Sequence, residues 1–194
     1  MTRRQPKIRK TRDQILRAAT EMFITRGYAW TSVDDIVEAA GCTRGAFYYY
    51  FEDKEDAVRM VQRRLWRRLA KHAEAAFEPT LGTVPNLKRT LGAHLSALDE
   101  LGPSRRILRE MWVDPSLESI GSEEFDRGVG VIEEFLAHSM RRGEIVAMDT
   151  RPLAVLLTGL FEVATAYALQ MGDASTTIEA VNVLLDGLAV PAAL

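Results

Sequence analysis

Residues 43–54 carry side chains that can donate hydrogen bonds to base edges and to phosphate oxygens. The planar guanidinium of Arg44 can donate two hydrogen bonds to the edge of one guanine. Three consecutive tyrosines, Tyr48 to Tyr50, and the ammonium group of Lys54 are donors of the kind that contact phosphates. The chemistry that these residue types indicate is therefore recognition of a nucleic acid.

The pattern around these side chains predicts two short helices joined by a tight turn. Ser32, with Asp35 three residues later, forms a capping box at the start of the first helix. Gly41 is suited to the turn that ends this helix, and Thr43 is suited to cap the second one. This order is typical of a helix-turn-helix, in which the first residues of the second helix lie near base edges in the major groove.

The second predicted helix would divide its residues between a packed face and a DNA-reading face. Phe47 and Phe51 are four residues apart and would face the core, which leaves the tyrosine hydroxyls outside. Gly45 allows the backbone to approach the DNA closely, and Ala46 can touch a thymine methyl group. The candidate DNA-binding residues are therefore Thr43, Arg44, Gly45, Ala46, Tyr48, Tyr49, Tyr50 and Lys54.

A purely structural interpretation of the same residues stays open. A run of three tyrosines is often packed, and a lone arginine on a helix is often only solvated. The basic arm at the start of the chain contains Arg3, Arg4, Lys7, Arg9 and Lys10. It has the same ambiguity, because such a tail either follows a minor groove or stays in solvent.

The segment from Gly27 to Lys54 resembles the DNA-binding segment of tetracycline-repressor (TetR) family regulators. The shared pattern consists of Gly27-Tyr28, Thr31-Ser32-Val33, Ile36, Ala40-Gly41, Thr43, Gly45, Phe47-Tyr48, Phe51 and Lys54. The residues that this resemblance would place near bases are Arg44, Gly45 and Tyr48, and those that would hold the DNA backbone are Tyr49, Tyr50 and Lys54. Two positions depart from the family pattern, because Tyr50 stands where many members have histidine and Ala57 stands where leucine is usual.

Beyond this segment, the hydrophobic periodicity predicts an all-α chain of about nine helices. The first helix would run from a Thr11 cap, paired with Gln14 in a capping box, to Arg26. A long fourth helix would follow an Asp53 cap and end near Phe77. Further helices are expected near residues 85–101, 103–113, 122–142, 151–171 and 176–189, the last with a capping box of Thr176 and Glu179.

These elements predict two domains joined by the long fourth helix. Residues 1–54 would hold the basic arm and a three-helix DNA-binding domain, and residues 55–194 a helical domain for ligand binding and dimerisation. The charge follows a similar division: residues 1–71 have 16 Lys/Arg and 9 Asp/Glu (16 − 9 = +7), whereas residues 72–194 have 9 and 18 (9 − 18 = −9). Such asymmetry indicates a front end that binds nucleic acid.

Cysteine and histidine usage argues against an enzyme or a metal site. Cys42 is the only cysteine, which excludes an intrachain disulfide framework. His72, His94 and His138 are far apart and have no metal-ligand spacing, and no glycine-rich phosphate loop is present. We therefore expect no catalytic residue, metal or cofactor. A start without an apolar signal region, and the lack of an uncharged run long enough to span a bilayer, make the cytoplasm the expected location.

The second domain is expected to enclose a small ligand, as in the similar regulators. Candidate pocket residues are Trp66, His94, Leu98, Met111, Trp112, Phe125, Val129, Ile132, Phe161 and Glu162. Apolar positions at helical spacing are more often core than pocket. Glu162 is the single charge between Leu153 and Leu169, so it would be paired, protonated or exposed. Pairing with Arg109, with Arg127 or with a partner subunit is one interpretation, and contact with a cationic or hydroxyl-bearing ligand is the other.

The last two helices are the best predicted dimer surface, because they are long, apolar and able to pair as a four-helix bundle. Expected contacts are Leu156, Leu160, Val163, Tyr167, Ile178, Val181, Leu185 and Leu188, although part of this set would form the core of the monomer. The sequence thus predicts a homodimeric, ligand-responsive regulator, a repressor that binds a palindromic operator in double-stranded DNA and is released by a small, largely apolar effector. The alternatives are a DNA-binding activator or architectural protein without a small ligand, and a module whose helix-turn-helix contacts protein.

Overall fold

The computed structural model describes residues 4–113 and 121–188, and this part of the chain is helical without strands. The helices are α1 (Arg4–Thr25), α2 (Val33–Ala40), α3 (Arg44–Tyr50), α4 (Lys54–Ala76), α5 (Thr83–Glu100), α6 (Arg105–Val113), α7 (Gly121–Arg141), α8 (Thr150–Met171) and α9 (Ser175–Asp186), with a 3-10 turn at Gly102–Ser104. The all-α prediction is confirmed, and most predicted helices agree with these bounds to within two residues.

The helices group into two compact units. The first unit comprises Met1–Arg67 and Leu101–Leu117, and the second comprises Arg68–Glu100 and Glu118–Leu194. The division falls inside α4 and assigns α6 to the first unit, although α6 follows α5 in the chain. The sequence-based domain boundary at residue 54 remains a prediction.

The core of the first unit comes from one face of each of its short helices. Ile15, Leu16 and Phe23 of α1 are buried, and Ile36 of α2 and Phe47 of α3 are buried too. Because α2 and α3 are too short to be stable alone, this shared packing is what holds the helix-turn-helix in shape.

The start of α1 differs from the prediction. The helix begins at Arg4 rather than after a Thr11 cap, because Pro6 lies in the first turn, where a proline needs no backbone donor. Gln14 does not complete a capping box and instead donates from Nε2 to the carbonyl of Ala40, 3.3 Å away. Arg3 and the side chains of Arg4, Lys7, Arg9 and Lys10 lie outside the described residues, so the role of the arm stays a prediction.

Helix α6 fastens the end of α1. The Arg106 guanidinium donates from Nη1 to the carbonyl of Ile24 at 3.1 Å, and its Nε lies 2.5 Å from Glu110 Oε1. The other carboxylate oxygen of Glu110 accepts the backbone N–H of Tyr28 at 3.0 Å. Between these contacts Gly27 has φ +91°, and a Cβ there would lie 2.7 Å from Arg106 Nη2, so the position requires glycine. The last carbonyls of α1 are thus satisfied by a helix from much later in the chain.

The second unit is built around α8. This helix packs on α7, α9 and α5, and it buries Leu153, Leu157 and Leu169 among other apolar side chains. Its length and apolar composition would also suit a membrane span, but half of its most apolar stretch is buried within the unit, as in a core helix. One side of this helix is therefore covered by its neighbours in the unit.

The start of α9 is fixed by an aspartate that the sequence analysis did not identify. Asp173 accepts from the backbone N–H of Ser175 at 2.9 Å and from the hydroxyl of Thr176 at 2.7 Å. These hydrogen bonds, the Ser175 hydroxyl first among them, lower the pKa of Asp173 to about 2. The predicted capping box of Thr176 and Glu179 is wrong, because the helix begins one residue earlier and uses the Asp173 carboxylate.

Candidate nucleic-acid interface and ligand cavity

The capping box at the start of α2 is present as predicted. Ser32 Oγ accepts from the backbone N–H of Asp35 at 3.1 Å, and Asp35 Oδ2 accepts from the backbone N–H of Ser32 at 2.8 Å. Hydrogen bonds from Ser32, helped by an ion pair with Arg26, lower the pKa of the Asp35 carboxyl. The entry to α2 is therefore fixed by reciprocal bonds as well as by the core.

The turn between α2 and α3 also follows the sequence pattern. Gly41 has φ +60° and donates its N–H to the carbonyl of Glu38 at 3.0 Å, while Cys42 donates to Val37 at 3.0 Å. Thr43 Oγ1 then accepts from the backbone N–H of Ala46 at 3.2 Å and caps α3. This left-handed glycine followed by a capped helix sets the direction of α3.

Helix α3 has one packed face and one face open to solvent. Phe47 and Phe51 are buried with their ring centroids 5.3 Å apart. Thr43, Arg44, Gly45, Tyr48 and Tyr49 are exposed, while Ala46 and Tyr50 are half-buried. The Tyr50 ring packs against Tyr49 at 4.8 Å. Most of the predicted DNA-binding residues therefore share the open side of one short helix, and the packed interpretation of the tyrosines applies in part to Tyr50.

Arg44 is held at the start of α3 by a carboxylate from α2. Its Nε lies 2.8 Å from Asp34 Oδ1, and both side chains are more than half exposed. The sequence analysis did not identify this pair, because residues ten apart on two helices meet only once the turn angle between the helices is known. Arg44 is therefore a solvent-facing donor with a defined orientation.

Lys54 has a structural contact that the sequence did not reveal. Its Nζ donates to the carbonyl of Tyr28 at 2.9 Å and lies 4.2 Å from the centroid of the Tyr28 ring. Burial lowers the pKa of the Lys54 ammonium. This group anchors the connection between α1 and α2, and since an ammonium has three donors, it can also serve a phosphate. The predicted phosphate contact remains a prediction.

Replacing Lys54 with alanine should weaken binding to all DNA sequences alike and lower the slope of log K against log salt by about 1. The reason is that one phosphate-neutralising charge is removed while no base contact changes. Titrations of a labelled duplex at several salt concentrations measure this slope. Lys88→Ala is the matched control, because it removes the same charge from the second unit, where Lys88 pairs with Asp186. An unchanged slope in the Lys54 variant would refute the phosphate contact.

The second unit contains a cavity of about 550 Å³. Its lining is mainly apolar and aromatic, with a few polar groups, and consists of Ala70, Ala73, Glu74, Phe77, Asn86, Leu87, Thr90, His94, Arg127, Gly128, Val131, Ile132, Phe135 and Phe161. This volume and composition are typical of sites for small molecules.

Three of the ten predicted pocket residues, His94, Ile132 and Phe161, line this cavity. Leu98 and Val129 are fully buried in the core instead. Trp66 and Trp112 belong to the first unit, the side chain of Met111 lies outside the described residues, and neither Phe125 nor Glu162 is part of the lining. Phe77 and Phe135, whose ring centroids are 6.0 Å apart, also line the cavity but were not predicted, because helical spacing does not show where neighbouring helices leave a gap.

The polar wall of the cavity is formed in part by a neutral histidine. Burial lowers the pKa of His94 to about 4, so the ring is uncharged at neutral pH. The hydroxyl of Thr165 donates to the carbonyl of Phe161 at 2.7 Å and lies 3.2 Å from His94 Nε2, so it is placed to accept a hydrogen bond from that nitrogen. His94 thus presents the cavity with a polar group that carries no charge.

Glu162 does not pair with either predicted arginine. Neither Arg109 nor Arg127 forms an ion pair with it among the described residues, and burial raises the pKa of its carboxyl. Pairing of Glu162 with these two arginines is therefore not observed in the part of the chain that the structure describes. Pairing with a partner subunit, or contact with a ligand, remains a prediction.

Helices α8 and α9 leave an apolar face uncovered, hereafter the α8–α9 face. It contains Leu156, Val163 and Tyr167 of α8, and Val183 and Leu184 of α9. The predicted α9 contacts Val181 and Leu185 are wrong, because both side chains are buried in the second unit. The apolar residues of α9 that face outward are Val183 and Leu184. They lie on the other side of the helix from Val181 and Leu185.

Residues 15–59 match the family model described as bacterial regulatory proteins, tetR family. The HTH-type transcriptional regulator SrpR of Pseudomonas putida is 28% identical over 158 residues, which cover 78% of this chain and 71% of that protein. The HTH-type transcriptional repressor DhaR of Mycobacterium sp. (strain GP1) is also 28% identical, over 180 residues that cover 78% of this chain and 90% of that protein.

Solved structures show the same fold. A TetR-family transcriptional regulator from Pectobacterium atrosepticum superposes with a TM-score of 0.77 at 23% identity and full coverage of both chains. NalD of Pseudomonas aeruginosa, described as the secondary repressor of the MexAB-OprM multidrug efflux pump, gives a TM-score of 0.72 at 22% identity, covering 95% of this chain and 99% of that one. At these identities the structural likeness concerns the fold.

Proposed function

We propose that this chain, a transcriptional regulator whose residues 15–59 match the tetR family of bacterial regulatory proteins, is a repressor that binds a palindromic operator as a homodimer. A small, largely apolar molecule would bind the second unit and release the DNA. The observation that carries this proposal is the open side of α3, where exposed donors stand on a capped and packed helix-turn-helix.

The reading of DNA would be divided between base and backbone contacts. Thr43 to Ala46 lie at the start of α3, the part of a recognition helix that reaches base edges. Arg44 would donate to a guanine, while Tyr48, Tyr49 and Lys54 would hold the backbone. Because one such helix contacts few base pairs, specific binding calls for two copies about 34–36 Å apart. The exposed α8–α9 face supports such a dimer.

Arg44→Ala should lower affinity for the preferred operator by about 1–3 kcal/mol and relax the preference at one base pair of each half-site. The guanidinium is the single side chain at the start of α3 that can make a bidentate contact with guanine. Selection from random duplex DNA at two salt concentrations, with the wild type and this variant, measures both effects.

The control for this selection is Arg142→Ala, which removes an arginine of the second unit that pairs with Glu144. Recovery of one palindromic motif by the wild type, with one relaxed position in the Arg44 variant only, supports the proposal. If the Arg44 variant keeps the full preference, base readout by Arg44 is wrong. If the wild type selects no motif, the proposal of a sequence-specific repressor is wrong, and an architectural role takes its place.

The cavity of the second unit supports an effector that is mostly apolar with one or two polar groups. Aromatic rings of Phe77, Phe135 and Phe161 would contact its body. The uncharged imidazole of His94 would orient its polar end. By population shift, such a molecule releases DNA only to the extent that it binds the released conformation better.

Ile132→Trp should weaken release by an effector while leaving operator binding intact, because the larger ring occupies part of the cavity. A loss of about tenfold or more in effector affinity is expected, equivalent to about 1.4 kcal/mol. A library of small apolar compounds is first screened for release of labelled operator from the wild type, and the active compounds are then titrated against the variant. Met148→Trp, at an exposed position outside the cavity, is the control. Equal responses in both variants would place the effector elsewhere.

A further inference from the structure

We propose that Asp34 is a positioning residue that sets the guanidinium of Arg44 for a guanine and sharpens sequence discrimination at the expense of affinity. This inference rests on the proposed base readout by Arg44. It concerns a residue that faces the DNA-reading side of the helix-turn-helix but carries the charge that DNA repels.

The geometry of the pair leaves the reading end of Arg44 available. Arg44 is the first residue of α3 and Asp34 the second residue of α2. Their contact runs from Arg44 Nε to Asp34 Oδ1 at 2.8 Å. A guanidinium has five N–H donors in a rigid plane, so a carboxylate on Nε leaves the two terminal nitrogens. Those two nitrogens form the fork that matches O6 and N7 of guanine.

Asp34 is not needed for the fold of the helix-turn-helix. The neighbouring Asp35 makes the capping interactions at this end of α2. It forms hydrogen bonds with Ser32 and an ion pair with Arg26. Asp34 and Arg44 are 63% and 62% exposed, and an exposed ion pair contributes little to stability. A negative charge in the first turn also interacts favourably with the helix dipole, a contribution that Glu or Asp at any first-turn position would make. A contribution to folding stability alone therefore does not explain the contact of Asp34 with Arg44.

The electrostatics of the pair give opposite effects on affinity and on specificity. A carboxylate on a DNA-reading surface repels the phosphates of every sequence, so it weakens non-specific binding. By holding Arg44 in one orientation, it also reduces the side-chain ordering needed when the guanine contact forms. The carboxylate would also make it less favourable for the arginine side chain to turn to a phosphate. Such a phosphate contact would not depend on the DNA sequence. Removal of the charge should thus raise affinity for random DNA and lower discrimination.

The experiment compares full-length wild type with Asp34→Asn, Arg44→Ala and the double variant. Glu38→Gln is the matched control, because Glu38 is an exposed carboxylate on the same short helix that pairs with no described arginine. Dissociation constants are measured for the selected operator, for the operator with the Arg44-dependent base pair replaced, and for random duplex. Melting temperatures verify that each variant is folded, and Asp34→Asn keeps the size and the oxygen of the original side chain.

In Asp34→Asn we expect tighter binding to random duplex and about a fivefold loss of discrimination at the Arg44-dependent base pair, which is a part of the discrimination that a bidentate contact provides. In the Arg44→Ala background the same change should tighten random binding but leave discrimination unaltered. Glu38→Gln should change random binding alone.

The outcomes separate this inference from the proposed function. If Arg44→Ala keeps the wild-type preference, the base readout itself fails. If Arg44→Ala relaxes the preference while Asp34→Asn keeps it, the positioning role of Asp34 fails and the readout stands. If Asp34→Asn and Glu38→Gln behave alike, Asp34 is only one of several repelling charges, and the inference is overturned.

Discussion

Phe47→Ala will abolish operator binding by unfolding the first unit, although the side chain itself touches no DNA. Phe47 has 0% of its surface exposed, and its ring lies 5.3 Å from that of Phe51 and 5.4 Å from that of Tyr48. Truncating a buried phenylalanine to alanine destabilises by about 3–5 kcal/mol. The free energy of unfolding of a whole domain is only about 5–15 kcal/mol. A unit with so small a core would therefore lose most of its free energy of unfolding.

Chemical denaturation followed by circular dichroism, together with operator titration, measures this effect. Tyr49→Ala is the control on the same helix, because its side chain is 71% exposed and its removal should weaken DNA binding with little change in unfolding. A Phe47 variant with wild-type stability would mean that the packing of α3 against the core contributes far less than its burial indicates.

Placing charge on the α8–α9 face should convert the proposed homodimer to a monomer and remove tight operator binding. Leu156 and Val163 are 70% and 65% exposed and lie seven residues apart on α8, so the double variant Leu156→Glu, Val163→Glu puts two carboxylates on one face. Burying unpaired charges in an apolar interface is strongly unfavourable. Loss of the second half-site contact should weaken operator binding by about 10²–10⁴-fold.

Analytical ultracentrifugation and titration of full and half operators test this expectation. Binding to a half operator should stay at the wild-type level, since the reading surface is unchanged. Val146→Glu, at an exposed apolar position outside this face, serves as the control. A double variant that remains dimeric would move the dimer interface to another surface.

The helix-turn-helix could be predicted closely because its signals are local. The capping box of Ser32 and Asp35, the left-handed glycine at position 41 and the inward pair Phe47 and Phe51 each depend on residues at most four apart. Interactions of this range are encoded directly in residue type and spacing. The same locality explains why the fold class and the helix bounds followed from the sequence.

Features that depend on distant packing could not be predicted. The contact of Arg44 with Asp34 requires the angle between two helices, and the bond of Lys54 to Tyr28 joins residues 26 apart. The side of α9 that faces outward was misplaced, because its buried and its exposed residues near Val181 are both apolar, so residue type alone does not separate them. The cavity lining was only partly identified for the same reason, since a gap is a property of several helices together.

The contact between α6 and the end of α1 also has a consequence for synthesis on the ribosome. The carboxylate that receives the Tyr28 N–H belongs to a residue 82 positions later. At a translation rate of about 5–20 residues per second, that residue is added roughly 4–16 s after Tyr28. During this interval the nascent DNA-binding segment, α1 to α3, has its helices but lacks the contact of α6 with the end of α1. A chimera that exchanges the DNA-binding segment between related regulators therefore has to include two separate stretches of the gene, the one encoding α1 to α3 and the one encoding α6.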